Sequence, residues 1–209
     1  MSRTPATLIT WQEYAKAPDP AAVFRAHFAS LAQTPECGDI LRDLSLLIDS
    51  IEIADPELIF LFQGGELLSG WPPADYDLSH LPPSYQTVLK LHNGLTFPDD
   101  KFNLSLNGYY DDGETISNFN SDYWDPDDND PDIDPEELIV PFDYHSDWIA
   151  FHPKFQSPRG EPALAVIDHG NGELEEPPLV DFGVGGVLLR LLGNSLLGDE
   201  RCRFGSVAP

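Results

Sequence analysis

The side chains that could do chemistry here are mostly carboxylates. Thirty-six Asp and Glu stand against 11 Lys and Arg, a formal charge of −25. The densest run spans residues 122–137 and carries Asp122, Asp125, Asp127, Asp128, Asp130, Asp132, Asp134, Glu136 and Glu137, with Tyr123, Trp124 and Asn129 among them. Hard cations take oxygen ligands, so calcium is the first chemistry to try. Asp125, Asp127, Asn129 and Glu136 fall at positions 1, 3, 5 and 12 of an EF-hand count. The sixth position, which needs glycine for its sharp turn, is Asp130, and Pro126, Pro131 and Pro135 stiffen the run. A true EF-hand is therefore not expected. Loose, weak divalent binding by the cluster is the more plausible cation chemistry.

A second candidate is Asp143, His145 and Asp147, with His152 nearby. On a strand these alternate positions share a side, and mixed carboxylate and imidazole ligands suit zinc or a transition metal. The simpler reading is a polar outer face opposite Phe142, Tyr144 and Trp148. No GxSxG, HExxH or papain-like cysteine context is present, so nothing marks a nucleophile, and no cofactor is expected. His27 falls on an apolar stripe and reads as a core or boundary histidine. His92 precedes Asn93-Gly94 at a helix C-terminus, where a histidine suits the dipole. Cys37 and Cys202 are far apart and lack a CxxC, so they read as reduced thiols.

The elements that must position these residues follow from periodicity. Asp19-Pro20 is a helix start, and Val23, Phe24, His27, Phe28 and Leu31 continue at helical spacing until Thr34-Pro35. A second helix is expected with Ile40, Leu41, Leu44, Leu47, Ile48 and Ile51 on one face. Residues 57–70 read as two strands around Gly64-Gly65. Pro82 and Pro83 open a helix that Asn93-Gly94 closes. Strands are expected within FNLSLNGYY, at 138–142, at 147–151 and at 163–168, with Asn171-Gly172 as a hairpin turn and a last helix at 184–197. The run at 122–137 is too rich in Asp and Pro for either element and reads as a solvated loop.

Residues 81–94 resemble the signature helix of the SUKH superfamily, the Smi/Knr-like group, on Leu81, Pro82, Tyr85, Leu89, Asn93 and Gly94. A second resemblance follows in order: Ile139-Val140-Pro141-Phe142, then Asp147-Trp148-Ile149. Pro141 and Trp148 complete the motif set, and the likeness runs over about residues 70–197. It implies an α+β fold, a mainly antiparallel sheet flanked by helices, and it provides no catalytic residues. Many bacterial members of that group look like immunity proteins that neutralise a toxin, often a nuclease; others are regulatory interaction modules. On this reading residues 1–70 form an N-terminal helical extension packed on the same core as the α+β domain at 71–209.

Charge fits a binding role. Residues 99–137 hold 14 acids and one base, so −13 of the −25 lies there. Such a surface repels phosphate backbones and anionic lipids, which argues against nucleic-acid and membrane partners. It attracts a basic protein, such as a nuclease-type toxin domain. The acids at 122–137 are the docking candidates, with Tyr123 and Trp124 as exposed anchors or, alternatively, as loop core. The N-terminus has no basic-then-apolar leader and the longest apolar run is short, so the expected setting is the cytoplasm. The expectation is a non-enzymatic protein-binding module of immunity type; a cation-responsive or regulatory interaction protein, or an unrecognised hydrolase, are the alternatives.

Overall fold

A computed structural model describes residues 6–97, 104–109, 119, 121–124, 129–170, 172–175, 179 and 182–198. The chain begins with α1 (Ala6–Tyr14), α2 (Pro20–His27) and α3 (Pro35–Ser45). The start of α2 follows the sequence signals: Asp19 accepts the Ala22 N–H at 2.9 Å and Pro20 takes the first position. Thr34 does the same for α3, its hydroxyl accepting the Cys37 N–H at 3.1 Å. The Thr34-Pro35 pair therefore starts a helix; α2 itself ends at His27 and passes into a 3-10 turn at Ala29–Leu31. No sequence signal marked α1, yet its Trp11 is among the fully buried side chains.

The expected second helix is cut short. It stops at Ser45, whose hydroxyl donates back to the Arg42 carbonyl, and Ile48–Ala54 forms strand β1. Ile48, Ile51 and Ile53 pair with Phe62, Phe60 and Leu58 of β2 (Glu57–Phe62). β-branched side chains prefer that pleated surface, and cross-strand packing overrides the helical spacing. Residues 1–70 are thus not a helical extension alone: they supply β1, β2 and β3 (Leu67–Gly70).

The sheet continues through β4 (Leu95–Thr96), β5 (Leu104–Leu106), β6 (Phe142–Tyr144), β7 (Asp147–Gln156) and β8 (Pro162–Ile167). Among the described residues the eight strands lie antiparallel to their neighbours in chain order. Between β3 and β4 lies α4 (Pro83–Leu89), and after β8 comes α5 (Val184–Leu197), ended by Gly198 at φ +63. The architecture is an α+β sheet flanked by helices.

Register separates the two faces. Ile53, Leu58, Gly70, Leu95, Leu106, Phe142, Ile149 and Val166 are successive cross-strand partners across the whole sheet. Their face packs with the helices into one core cluster that runs from Trp11 to Leu192. The other face carries Glu52, Ile59, Ser69, Thr96, Ser105, Asp143, Trp148 and Ile167 in the same way. Over β7 and β8 that outer face has its own apolar cluster, in which Ile133, Leu138, Val140 and Leu174 cover Trp148, Ala150, Ala165 and Ile167. The strand expected at 138–142 therefore begins only at Phe142. Leu138 and Val140 turn toward the outer cluster, Ile139 offers its carbonyl to the Phe151 N–H at 2.9 Å, and Pro141 has no N–H to give a ladder.

Candidate functional site

The residues carrying the family resemblance form a structural knot. Leu81, Tyr85 and Leu89 are buried in the main core. The Tyr85 hydroxyl donates to the Asn107 carbonyl at 2.7 Å, and burial pushes its pKa up. Asn107 donates its own N–H to the Pro141 carbonyl at 2.8 Å and its amide to the Val140 carbonyl at 2.9 Å. Asn93 clamps Tyr109 twice, accepting its N–H at 2.9 Å and donating to its carbonyl at 3.2 Å. Gly94 sits at φ +112, where a side chain would be strained. Pro82 precedes α4, and Trp148 packs in the outer cluster. Tyr85, Asn93 and Asn107 tie α4 and its C-terminal end to the segments of β5 and β6 through these hydrogen bonds.

From Asn129 onward the acidic run behaves as a strap across the outer face. Ile133 and Leu138 anchor it, and Trp124 packs half-buried against the same cluster, so Trp124 is loop core and not a free anchor. Asn129 spends both ends of its amide: it donates to the Gly172 carbonyl at 2.9 Å and accepts the Leu174 N–H at 2.8 Å. That removes it from the EF-hand count. Lys154 on β7 pairs with Asp130 and lies 3.7 Å from Asp132, which holds the Asp130 carboxyl below its usual range. Asp134 accepts the Glu136 N–H and starts a 3-10 turn at Pro135–Glu137. Asp122, Asp130, Asp132, Asp134, Glu136 and Glu137 are exposed. Asp125, Asp127 and Asp128 lie outside the described residues, as does the side chain of Tyr123.

The proposed alternation of Asp143, His145 and Asp147 does not survive the hairpin. His145 occupies the turn between β6 and β7 at φ +55. Asp143 pairs with Trp148, and Asp147 with Tyr144, so the two carboxylates lie on opposite faces. Asp143 is buried and accepts from the Asn107 amide at 3.3 Å, while His152 accepts the Lys154 N–H through Nδ1. Among the described residues no three His, Cys, Asp or Glu converge on a metal position. Cys37 is buried and unpaired; Cys202 lies outside the described residues.

His92 is the clearest departure from expectation. It is fully buried and hydrogen-bonds His27, Nε2 to Nε2, at 2.8 Å. The Trp71 carbonyl lies 2.9 Å from His92 Nδ1 and can only accept, so Nδ1 carries the proton. His92 Nε2 is then the acceptor and His27 Nε2 the donor. Burial lowers His92 to about 3 and His27 to about 4, so neither carries the charge that a helix dipole would favour. Trp11, Phe28 and Phe60 pack around the His92 ring. Gly70 is required beneath it, since a methyl group there would overlap the imidazole.

A cavity of about 470 Å³ opens on the outer face beside the knot, lined by Trp71, Pro72, Asn93, Thr96, Ser105, Asn107 and the backbone at Gly94 and Gly108. Trp71 is 47% exposed. Thr96 and Ser105 are cross-strand partners, and among the described residues neither hydroxyl has a hydrogen-bond partner. Sequence patterns did not find this site. An aromatic before Pro72-Pro73 was the one local signal; the hydroxyls come together only through strand pairing. Among the described residues no helix is long and apolar enough to cross a membrane. Compared with family models, curated proteins and solved structures, the chain gives no significant match.

Proposed function

We propose that this chain is a non-catalytic protein-binding module of the immunity type, acting in the cytoplasm on a basic partner such as a nuclease-type toxin domain. The observation that carries this reading is the strap. Its acids are not a free tail: Ile133, Leu138 and Asn129 hold its backbone against the sheet while Asp132, Asp134, Glu136 and Glu137 face solvent. A fixed acidic surface steers a basic partner and orders few side chains on docking. The resemblance at 81–94 and 139–149 supports the same role. A negative surface also disfavours nucleic acid and anionic lipid as ligands.

Coexpression with a basic toxin domain encoded beside its gene tests the proposal. The chain should protect the host and copurify with the toxin, and the association rate should fall steeply with added salt. The substitutions D132N, D134N, E136Q and E137Q together should slow association by about tenfold or more. Protection with an unchanged rate would remove the strap as docking site; absence of both protection and copurification would end the immunity reading.

A further inference from the structure

The strap covers the outer face over β7 and β8, and the cavity lies on that face between Trp71 and the β4–β5 pair. Three features of the cavity go together. Its described lining has no charged side chain, although the chain carries −25. Trp71, a large aromatic, stands half in solvent at its edge. Asn93 is spent on backbone groups and the Asn107 amide on the Val140 carbonyl and Asp143, whereas among the described residues the Thr96 and Ser105 hydroxyls are unused. Isolated exposed aromatics need no explanation, but an exposed tryptophan beside a neutral concavity is the composition of an interface anchor site.

The surroundings of the cavity select its occupant. Glu57 belongs to the outer sheet face and is hydrogen-bonded to Ser69, the cross-strand partner of Thr96, and Asp75 and Asp77 are exposed just after Trp71-Pro72. An anionic or small charged ligand gains nothing from such a lining. A neutral apolar group gains from burial against Trp71 and Pro72, and positive flanks gain from the acids.

We propose that this cavity takes one aromatic or aliphatic side chain from a segment of a basic protein whose neighbouring Lys and Arg residues face the surrounding carboxylates. This rests on the protein-binding reading above and supplies its specificity: the strap steers the partner, and the cavity decides which partner stays. The two hydroxyls give the inserted side chain a polar end to meet, which suits tyrosine or tryptophan.

A peptide-display selection against the full chain tests it with defined probes. The enriched peptides should share one aromatic or aliphatic position flanked by Lys or Arg. Synthetic peptides from that set should bind W71A and the cavity-filling S105F roughly tenfold or more weakly. Both variants should keep the native circular dichroism spectrum, because Trp71 is half-exposed and Ser105 lies on the outer face. S105F retains Trp71, so agreement of the two variants separates the cavity from the ring alone. Basic peptides without an apolar position, binding W71A and S105F as tightly as the native chain, would overturn the cavity inference and leave the strap reading standing. An apolar consensus that ignores both salt and the four strap substitutions would keep the cavity and remove the strap. Failure to enrich any sequence would overturn the cavity inference.

Discussion

His92 shows how one side chain ties distant segments together. It links β3, through the Trp71 carbonyl that follows it, to His27 at the end of α2. Both imidazoles stay neutral in the folded chain until about pH 4 and 3, but an unfolded histidine takes up a proton near 6.5. Below pH 6.5 the unfolded state therefore binds more protons, so stability falls as pH is lowered and is fully present above that value. Urea unfolding from pH 7 to 4.5 should show this decline. H27F should lose about 1–2 kcal/mol at pH 7, because His92 Nε2 is left without a donor, but should show a shallower decline, since one fewer proton is taken up on unfolding. The same reasoning predicts that N93A loses about 1–3 kcal/mol, because it strips both backbone partners from Tyr109.

At the scale of elements, the strap is a satellite core laid over the sheet. Its few apolar contacts make it a candidate for local opening below the global unfolding energy. Placing a charge at Ile133, as in I133D, should lower amide-exchange protection across 129–140 by about tenfold or more, about 1.4 kcal/mol, while β1 and β2 keep theirs. K154A should change little, because its pairs with Asp130 and Asp132 are exposed. A strap that stayed protected in I133D would mean that the outer cluster is not what holds it. The outer cluster explains why an acidic, proline-broken run has a defined path at all: Ile133 and Leu138 each place one apolar side chain among charges, a pattern too sparse to read as an element.

For the whole molecule, the continuity of the main core from Trp11 to Leu192 has a direct consequence. The first 70 residues and the remainder share one sheet and one core, so unfolding should follow a single transition when monitored by both fluorescence and circular dichroism. Removing residues 1–70 strips β1, β2 and β3 from the sheet and should leave a chain without cooperative unfolding. A formal charge of −25 also predicts that moderate salt raises the midpoint by screening self-repulsion. Two separated transitions would instead mean that the segments fold apart.

Local chemistry written in neighbouring residues was legible from the sequence. Asp19-Pro20 caps α2 and Gly64-Gly65 turns β2 into β3, because caps and turns depend on hydrogen bonds a few residues apart. The α+β class and the location of the negative charge were legible for the same reason. Where two local patterns competed, the sequence could not choose: Ile48 and Ile51 continue a helical stripe as well as they begin a strand, and only Phe62 and Phe60 across the sheet decide it. Tertiary structure alone put His27 against His92, 65 residues apart, and turned a dipole-facing histidine into a neutral buried one. It also folded Trp124 inward and left Trp71 outward, beside hydroxyls from two different strands. Burial is a property of the assembled faces, and no spacing along the chain encodes which aromatic is covered and which stays exposed.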